Sequence, residues 1–107
     1  MKIYICSPYR ANTKKEVRQN INNAVQYCKD VIADGHEPVC PHIYFTQFLD
    51  DNIQEQRAMG LAFGIQHLKK CSEIWVYCEP SDGMRAEIQE AYKSGIEIIY
   101  KGVKDED

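Results

Sequence analysis

The chain has 107 residues, 44% of them hydrophobic, and a formal net charge of −3. This length predicts a single domain, residues 1–107, with one core. The slight negative charge offers no basic field for capturing nucleic acid polymers, and no apolar run approaches the roughly 20 residues that span a bilayer. The five cysteines are dispersed without a C-x-x-C pair. They indicate reduced thiols in a cytoplasmic protein and predict no metal site.

Strand-like and helix-like segments alternate along the chain. Patterning predicts strands over 2–6, 37–40, 73–78 and 96–100, helices from about residue 14 to Gly35, over 53–70 and over 83–94, and a loop or broken helix over 43–52. This order predicts an α/β fold, a Rossmann-like (flavodoxin-like) three-layer sandwich. It has a parallel sheet of four to five strands, the first strand central, and helices on both faces. Ligands bind such sheets beyond the carboxyl ends of the strands.

The segment from Ser81 to Glu87 is the most informative motif. It follows a strand and opens a helix, so free backbone N–H groups and the helix dipole form an anion-binding corner there. Glu87 shares one helix face with the apolar Met84, Ile88 and Ala91. A carboxylate on a buried face is costly unless it is paired, protonated or used. The motif indicates phosphorylated or sugar-bearing ligands and carboxylate chemistry.

Two segments resemble the nucleoside 2-deoxyribosyltransferase-like superfamily. Tyr4-Ile5-Cys6-Ser7-Pro8-Tyr9-Arg10 resembles its first strand and loop, and Pro80-Ser81-Asp82-Gly83-Met84-Arg85-Ala86-Glu87 resembles its nucleophile corner. The size is similar to that of the small bacterial and phage branch, which is related to 5′-deoxynucleotide N-glycosidases. The resemblance implies an enzyme that cleaves or transfers at the N-glycosidic bond of a nucleotide or nucleoside, without a cofactor.

The resemblance also implies roles for individual residues. Glu87 would attack the anomeric carbon, and Tyr4 would hold Glu87 in place. The implied ribose- and phosphate-binding residues are Ser7, Arg10, Ser81 and Gly83, with the backbone of Met84 in the same corner. His42, after the second strand, is predicted from its position to line the pocket or anchor a loop. Structural roles remain open: N-capping for Ser81, a core aromatic for Tyr4 and a solvated arginine for Arg10.

One position departs from the superfamily pattern. Its members usually carry an aspartate on the helix before the third strand, which protonates the leaving base, whereas Gly60 or Gly64 aligns there. The candidates to substitute are Asp50, Asp51, His42 and His67. The departure favours the alternative function, a non-catalytic nucleotide-binding module of the same fold. An interaction protein that kept only the fold is a third possibility.

The stretch over residues 43–63 is more apolar and aromatic than a loop and a solvated helix require. It contains Phe45, Phe48 and Phe63. Such a stretch predicts an interface, and the simplest closed assembly is a homodimer or a larger homo-oligomer built from dimers. The resembled superfamily likewise forms homo-oligomers whose subunits share the pocket.

Overall fold

The computed structural model describes residues 1–8, 11–45, 47–50 and 52–101. The elements follow in the order β1 (Lys2–Cys6), α1 (Lys14–Ala33), β2 (Glu37–Val39), α2 (Pro41–Phe45), α3 (Gln54–Leu68), β3 (Glu73–Val76), α4 (Asp82–Lys93) and β4 (Glu97–Tyr100). The strands form a parallel sheet in the order β2-β1-β3-β4. The predicted α/β fold is confirmed, and β1 lies inside the sheet.

Alternation along the two inner strands divides the core into two layers. Tyr4 and Cys6 of β1 belong to the apolar cluster that includes Leu68 of α3 and Met84 of α4. The intervening Ile3 and Ile5 belong to the opposite cluster, which includes Val31 of α1 together with Trp75 and Tyr77. Successive side chains of a strand point to opposite faces, so helices cover both sides of the sheet.

Local sequence signals account for the ends of the helices. The Thr13 side chain caps α1 by accepting a hydrogen bond from the Glu16 N–H at 3.1 Å. Gly35 and Gly95 follow α1 and α4 with φ of 84° and 73°. Glycine adopts these left-handed angles without a Cβ penalty, so both predicted helix ends are confirmed.

Several boundaries differ from the sequence-based expectation by one or two residues, and two of these differences have a local cause. The third strand ends at Val76 rather than at residue 78, because β4 ends at Tyr100, the register partner of Val76. Pro41 begins the short helix α2 instead of only closing a strand. Proline suits the first turn of a helix because its missing N–H would lack an intrahelical partner there.

All five cysteines, residues 6, 28, 40, 71 and 78, are free thiols. Across the described ranges, no helix combines the length and the apolar character needed to cross a membrane.

Candidate active site

A pocket of about 160 Å³ opens at the carboxyl end of β1, between α2, α3 and the start of α4. It brings together seven of the eight site residues predicted from the sequence, namely Tyr4, Ser7, His42, Ser81, Gly83, Met84 and Glu87. The eighth, Arg10, lies outside the described residues. These residues come from distant parts of the chain, and the parallel sheet aligns the strand ends that carry them.

Glu87 is presented to the pocket by the first two turns of α4. Ser81 caps this helix, and its hydroxyl oxygen accepts a hydrogen bond from the Met84 N–H at 3.4 Å. Glu87 lies three positions after Met84, on the same helix face. The cap therefore fixes the start of the helix, and the helix period then directs the Glu87 carboxylate toward the sheet.

Two side chains of β1 hold the Glu87 carboxylate. The Tyr4 hydroxyl donates a short hydrogen bond to Oε2, and the Cys6 thiol donates to Oε1 over 3.5 Å. Tyr4 and Cys6 are two positions apart, so both side chains point to the same face of the sheet. Tyr4 is only 1% exposed. Its hydroxyl therefore has little freedom to turn away from the carboxylate.

Burial dominates the electrostatics of this group. It raises the pKa of Glu87 from 4.5 to about 7, although the hydrogen bonds from Tyr4 and Cys6 oppose the shift. Burial, reinforced by the Glu87 charge, raises the pKa of the Tyr4 hydroxyl well above its usual range, and that of the Cys6 thiol likewise. Both donors therefore keep their protons near neutral pH, where the carboxylate is partly ionised.

Gly64 of α3 lies directly beside this arrangement. A Cβ at this position would lie 2.9 Å from the Tyr4 hydroxyl oxygen and 3.5 Å from Glu87 Oε2. Gly60 is different, since a Cβ there would make only an ordinary 3.6 Å contact with Leu49. Gly64 thus allows α3 to approach the hydrogen-bonded pair closely.

His42 joins the pocket from α2. Its Nε2 lies 3.4 Å from the Ser7 hydroxyl and 3.5 Å from the Cys40 sulfur. Burial lowers the pKa of His42 to about 4, so the imidazole is neutral near pH 7. No group of three or more His, Cys, Asp or Glu side chains suitable for a metal ion occurs among the described residues. His42 thus lines the pocket, which is the position that the sequence predicted for it.

Several residues are candidates to replace the aspartate that the superfamily pattern carries. Of those that the structure describes, His42 lines the pocket, whereas Asp50 and His67 do not. The Asp50 side chain instead accepts a hydrogen bond from the Asn52 N–H at 2.9 Å. His67 lies beside Phe45, with the ring centroids 6.2 Å apart and the ring planes tilted by 49°. Asp51 lies outside the described residues. Among the described residues that line the pocket, Glu87 is the sole carboxylate.

Several pocket residues were not singled out as site residues from the sequence. They are Pro41, Phe45, Leu49, Gln56, Arg57, Gly60, Leu61 and Gly64. Arg57 of α3 is exposed to solvent and also lines the pocket. The spacing of Arg57, Gly60 and Gly64 places them along one side of a helix. That spacing is the signal that would have found Arg57.

The fold and the site define an α/β domain with a partly buried carboxylate in a pocket at a strand end. The sequence matches the family described as "Domain of unknown function (DUF7768)" over residues 1–101, and the chain belongs to this family. Its structure is similar to that of a 2-deoxyribosyltransferase from Bacillus psychrosaccharolyticus, with a TM-score of 0.65 and 20% identity, covering 94% of this chain and 71% of that one. At this identity the likeness shows a shared fold. No curated protein matches the sequence.

Proposed function

We propose that this chain processes a nucleoside or nucleotide by cleaving or transferring the sugar at the N-glycosidic bond, with Glu87 as nucleophile. The observation that carries the proposal is the Glu87 carboxylate, hydrogen-bonded by Tyr4 and Cys6 and lining a pocket. The shared fold with a 2-deoxyribosyltransferase supports the substrate class. The proposal covers hydrolysis of a 5′-nucleotide to the free base as well as transfer of the sugar to another base.

The chemistry requires a carboxylate beside the anomeric carbon. A Glu87 oxygen would form a bond to that carbon while the bond to the base breaks and the base departs with the bonding electron pair. Water would then displace the glutamate to give the free sugar, or a second base would displace it to form a new N-glycosidic bond. A cavity of about 160 Å³ is smaller than the roughly 300–1,000 Å³ of typical ligand pockets. It suits the sugar, with the rest of the ligand extending outward.

The start of α4 supports binding of the 5′ end of the ligand. Ser81, Gly83 and Met84 line the pocket at the first turn of α4. The Met84 N–H donates to the Ser81 hydroxyl, whereas the N–H groups of residues 82 and 83 have no acceptor within the helix. We propose that these backbone groups, with Ser7 and Arg10 from the loop after β1, bind the ribose and a 5′-phosphate. Among the described pocket residues, the imidazole of His42, the guanidinium of Arg57 and the side-chain amide of Gln56 carry N–H groups that would donate a hydrogen bond to the departing base.

A second candidate function is ligand binding without turnover. The observation that favours it is the single carboxylate among the described pocket residues, because base departure is normally assisted by a second acid. In this case the same pocket would bind a nucleotide and leave its glycosidic bond intact.

The first test is incubation of the protein with a panel of deoxynucleosides and 5′-deoxynucleotides, with free base measured by chromatography. Glu87→Gln should abolish base release while retaining ligand binding, and intact-mass spectrometry of the wild type should detect a glycosyl adduct absent from the variant. The matched control is Glu90→Gln on the same helix, since Glu90 contacts Ser94 and Lys69 rather than the pocket. Binding without base release by the wild type would select the second function.

A further inference from the structure

The two oxygens of the Glu87 carboxylate have donors of unequal strength. Oε2 accepts from the Tyr4 phenol, whereas Oε1 accepts from the Cys6 thiol at 3.5 Å. Thiols are weak donors compared with hydroxyl groups. Oε1 is therefore oriented by a contact that withdraws little of its negative charge.

The position of Cys6 fits an orienting role. Its side chain is completely buried, and the sulfur lies 3.8 Å from the backbone oxygen of Met84 as well as near Glu87. Both contacts are to α4, so the thiol links β1 to the helix that carries the carboxylate. Since the buried thiol stays protonated, it does not compete as a nucleophile.

We propose that Cys6 is a positioning residue for the glycosyl chemistry, an inference that rests on the proposed function. Its thiol holds Oε1 while Tyr4 holds Oε2, and together they limit rotation of the carboxylate about its terminal bond. The reacting oxygen then meets each bound sugar in one orientation, and correct orientation is a major source of rate enhancement.

The test distinguishes the effect of the hydrogen bond from Cys6 to Glu87 from the effect of side-chain size. Cys6→Ala and Cys6→Ser both shorten the side chain, but only serine keeps a donor. A donor stabilises the ionised carboxylate, so the Glu87 pKa should be higher in Cys6→Ala than in Cys6→Ser by about half a pH unit or more. NMR of the carbon-13-labelled glutamate carboxyl groups measures this directly.

Other titratable and charged groups lie near the Glu87 carboxylate, and their effect on its pKa must be taken into account in the NMR titration. Tyr4 and Cys6 of β1 and Cys40 after β2 interact electrostatically with Glu87. His42 of α2 and Arg57 of α3 line the same pocket. The matched control is Cys71→Ala, because Cys71 is buried in the same apolar cluster but its thiol donates to the His67 carbonyl. This control should leave the Glu87 pKa unchanged.

Turnover then tests the orienting role. The acid limb of the kcat/KM profile should lie at higher pH in Cys6→Ala than in Cys6→Ser. At pH values above that limb, kcat should be several-fold lower in Cys6→Ala than in the wild type, and Cys6→Ser should recover part of the loss. Equal Glu87 pKa values in the two variants would overturn the proposal. A wild type that shows no turnover defeats the proposed function, while the NMR comparison still reports on the Cys6 contact.

If the Cys6 variants do not fold, infrared spectroscopy tests the contact between Cys6 and Glu87 instead. Infrared difference spectra between the wild type and Glu87→Gln should contain a shifted S–H stretching band, since an amide is a weaker acceptor than a carboxylate. Identical S–H bands in the two proteins would contradict the contact.

Discussion

At the scale of single residues, the pKa of Glu87 links function to stability. The folded-state pKa of about 7 lies above the ordinary value of 4.5. Between these values the folded protein keeps a proton that the unfolded chain has lost, so the free energy of unfolding falls as pH rises through this interval. This loss of unfolding free energy is complete above about pH 7 and is absent below pH 4.5, the pKa of the group in the unfolded chain.

We predict that this dependence is absent from Glu87→Gln. Between about pH 5.5 and about pH 8, the difference in unfolding free energy should change by about 2 kcal/mol in favour of the variant. His42 has a lowered pKa and acts in the opposite direction, but it is present in both proteins and cancels in the difference. Urea denaturation across this range measures the effect. A constant difference would show that Glu87 does not titrate in this interval.

At the scale of secondary-structure elements, the approach of α3 to β1 is set by Gly64. We predict that Gly64→Ala destabilises the fold by about 1–3 kcal/mol and reduces base release, because the new Cβ would lie 2.9 Å from the buried Tyr4 hydroxyl. Either α3 must move outward or the Tyr4–Glu87 hydrogen bond must distort. Thermal denaturation and turnover of the purified variant measure the two effects.

Gly60→Ala is the matched control for this prediction. It lies on the same helix, one turn earlier, and its Cβ would contact only Leu49 at 3.6 Å. Alanine favours helix by up to about 1 kcal/mol over glycine. Gly60→Ala should therefore be neutral or stabilising, and equal effects from the two substitutions would contradict the close approach.

At the scale of the whole molecule, the apolar stretch over residues 43–63 presents much of its surface to solvent. Phe48 is 64% exposed and Tyr44 is 58% exposed, whereas Phe45 and Phe63 contact each other, with ring centroids 5.0 Å apart. The pocket lies against the same stretch, through Phe45, Leu49 and Leu61. We therefore keep the proposal of a homodimer or larger homo-oligomer in which a second copy covers this surface and narrows the pocket.

The assembly prediction is tested with Phe48→Asp. A charge in an apolar interface is costly, so this variant should be monomeric by light scattering at micromolar concentration, where the wild type forms a dimer or larger species. It should also bind ligand more weakly, since the pocket loses its cover. The control is Tyr92→Ser, which removes an aromatic that is 80% exposed on α4. A monomeric wild type would refute the proposal.

The sequence by itself determined the four strands and the three long helices, but not the short helix α2. Short apolar runs assigned the strands, and the Thr13 cap and Gly35 bounded the first helix. The helical period assigned Glu87 to a buried face. These signals succeed because each acts within a few residues along the chain, where backbone geometry sets which side chains share a face.

The tertiary structure decided the contacts that no pattern in the sequence carries. The resemblance implied that Tyr4 holds Glu87, but it implied neither the second donor, Cys6, nor the close approach of Gly64. Tyr4 and Glu87 lie 83 positions apart, and the donation from Cys6 to the second carboxylate oxygen depends on how closely α4 approaches β1. The fit of Gly64 and the lowered pKa of His42 depend equally on distances and burial between elements. Patterns of hydrophobicity carry no information on such distances, because many packings satisfy the same pattern, and side-chain volumes and hydrogen-bond partners select among them.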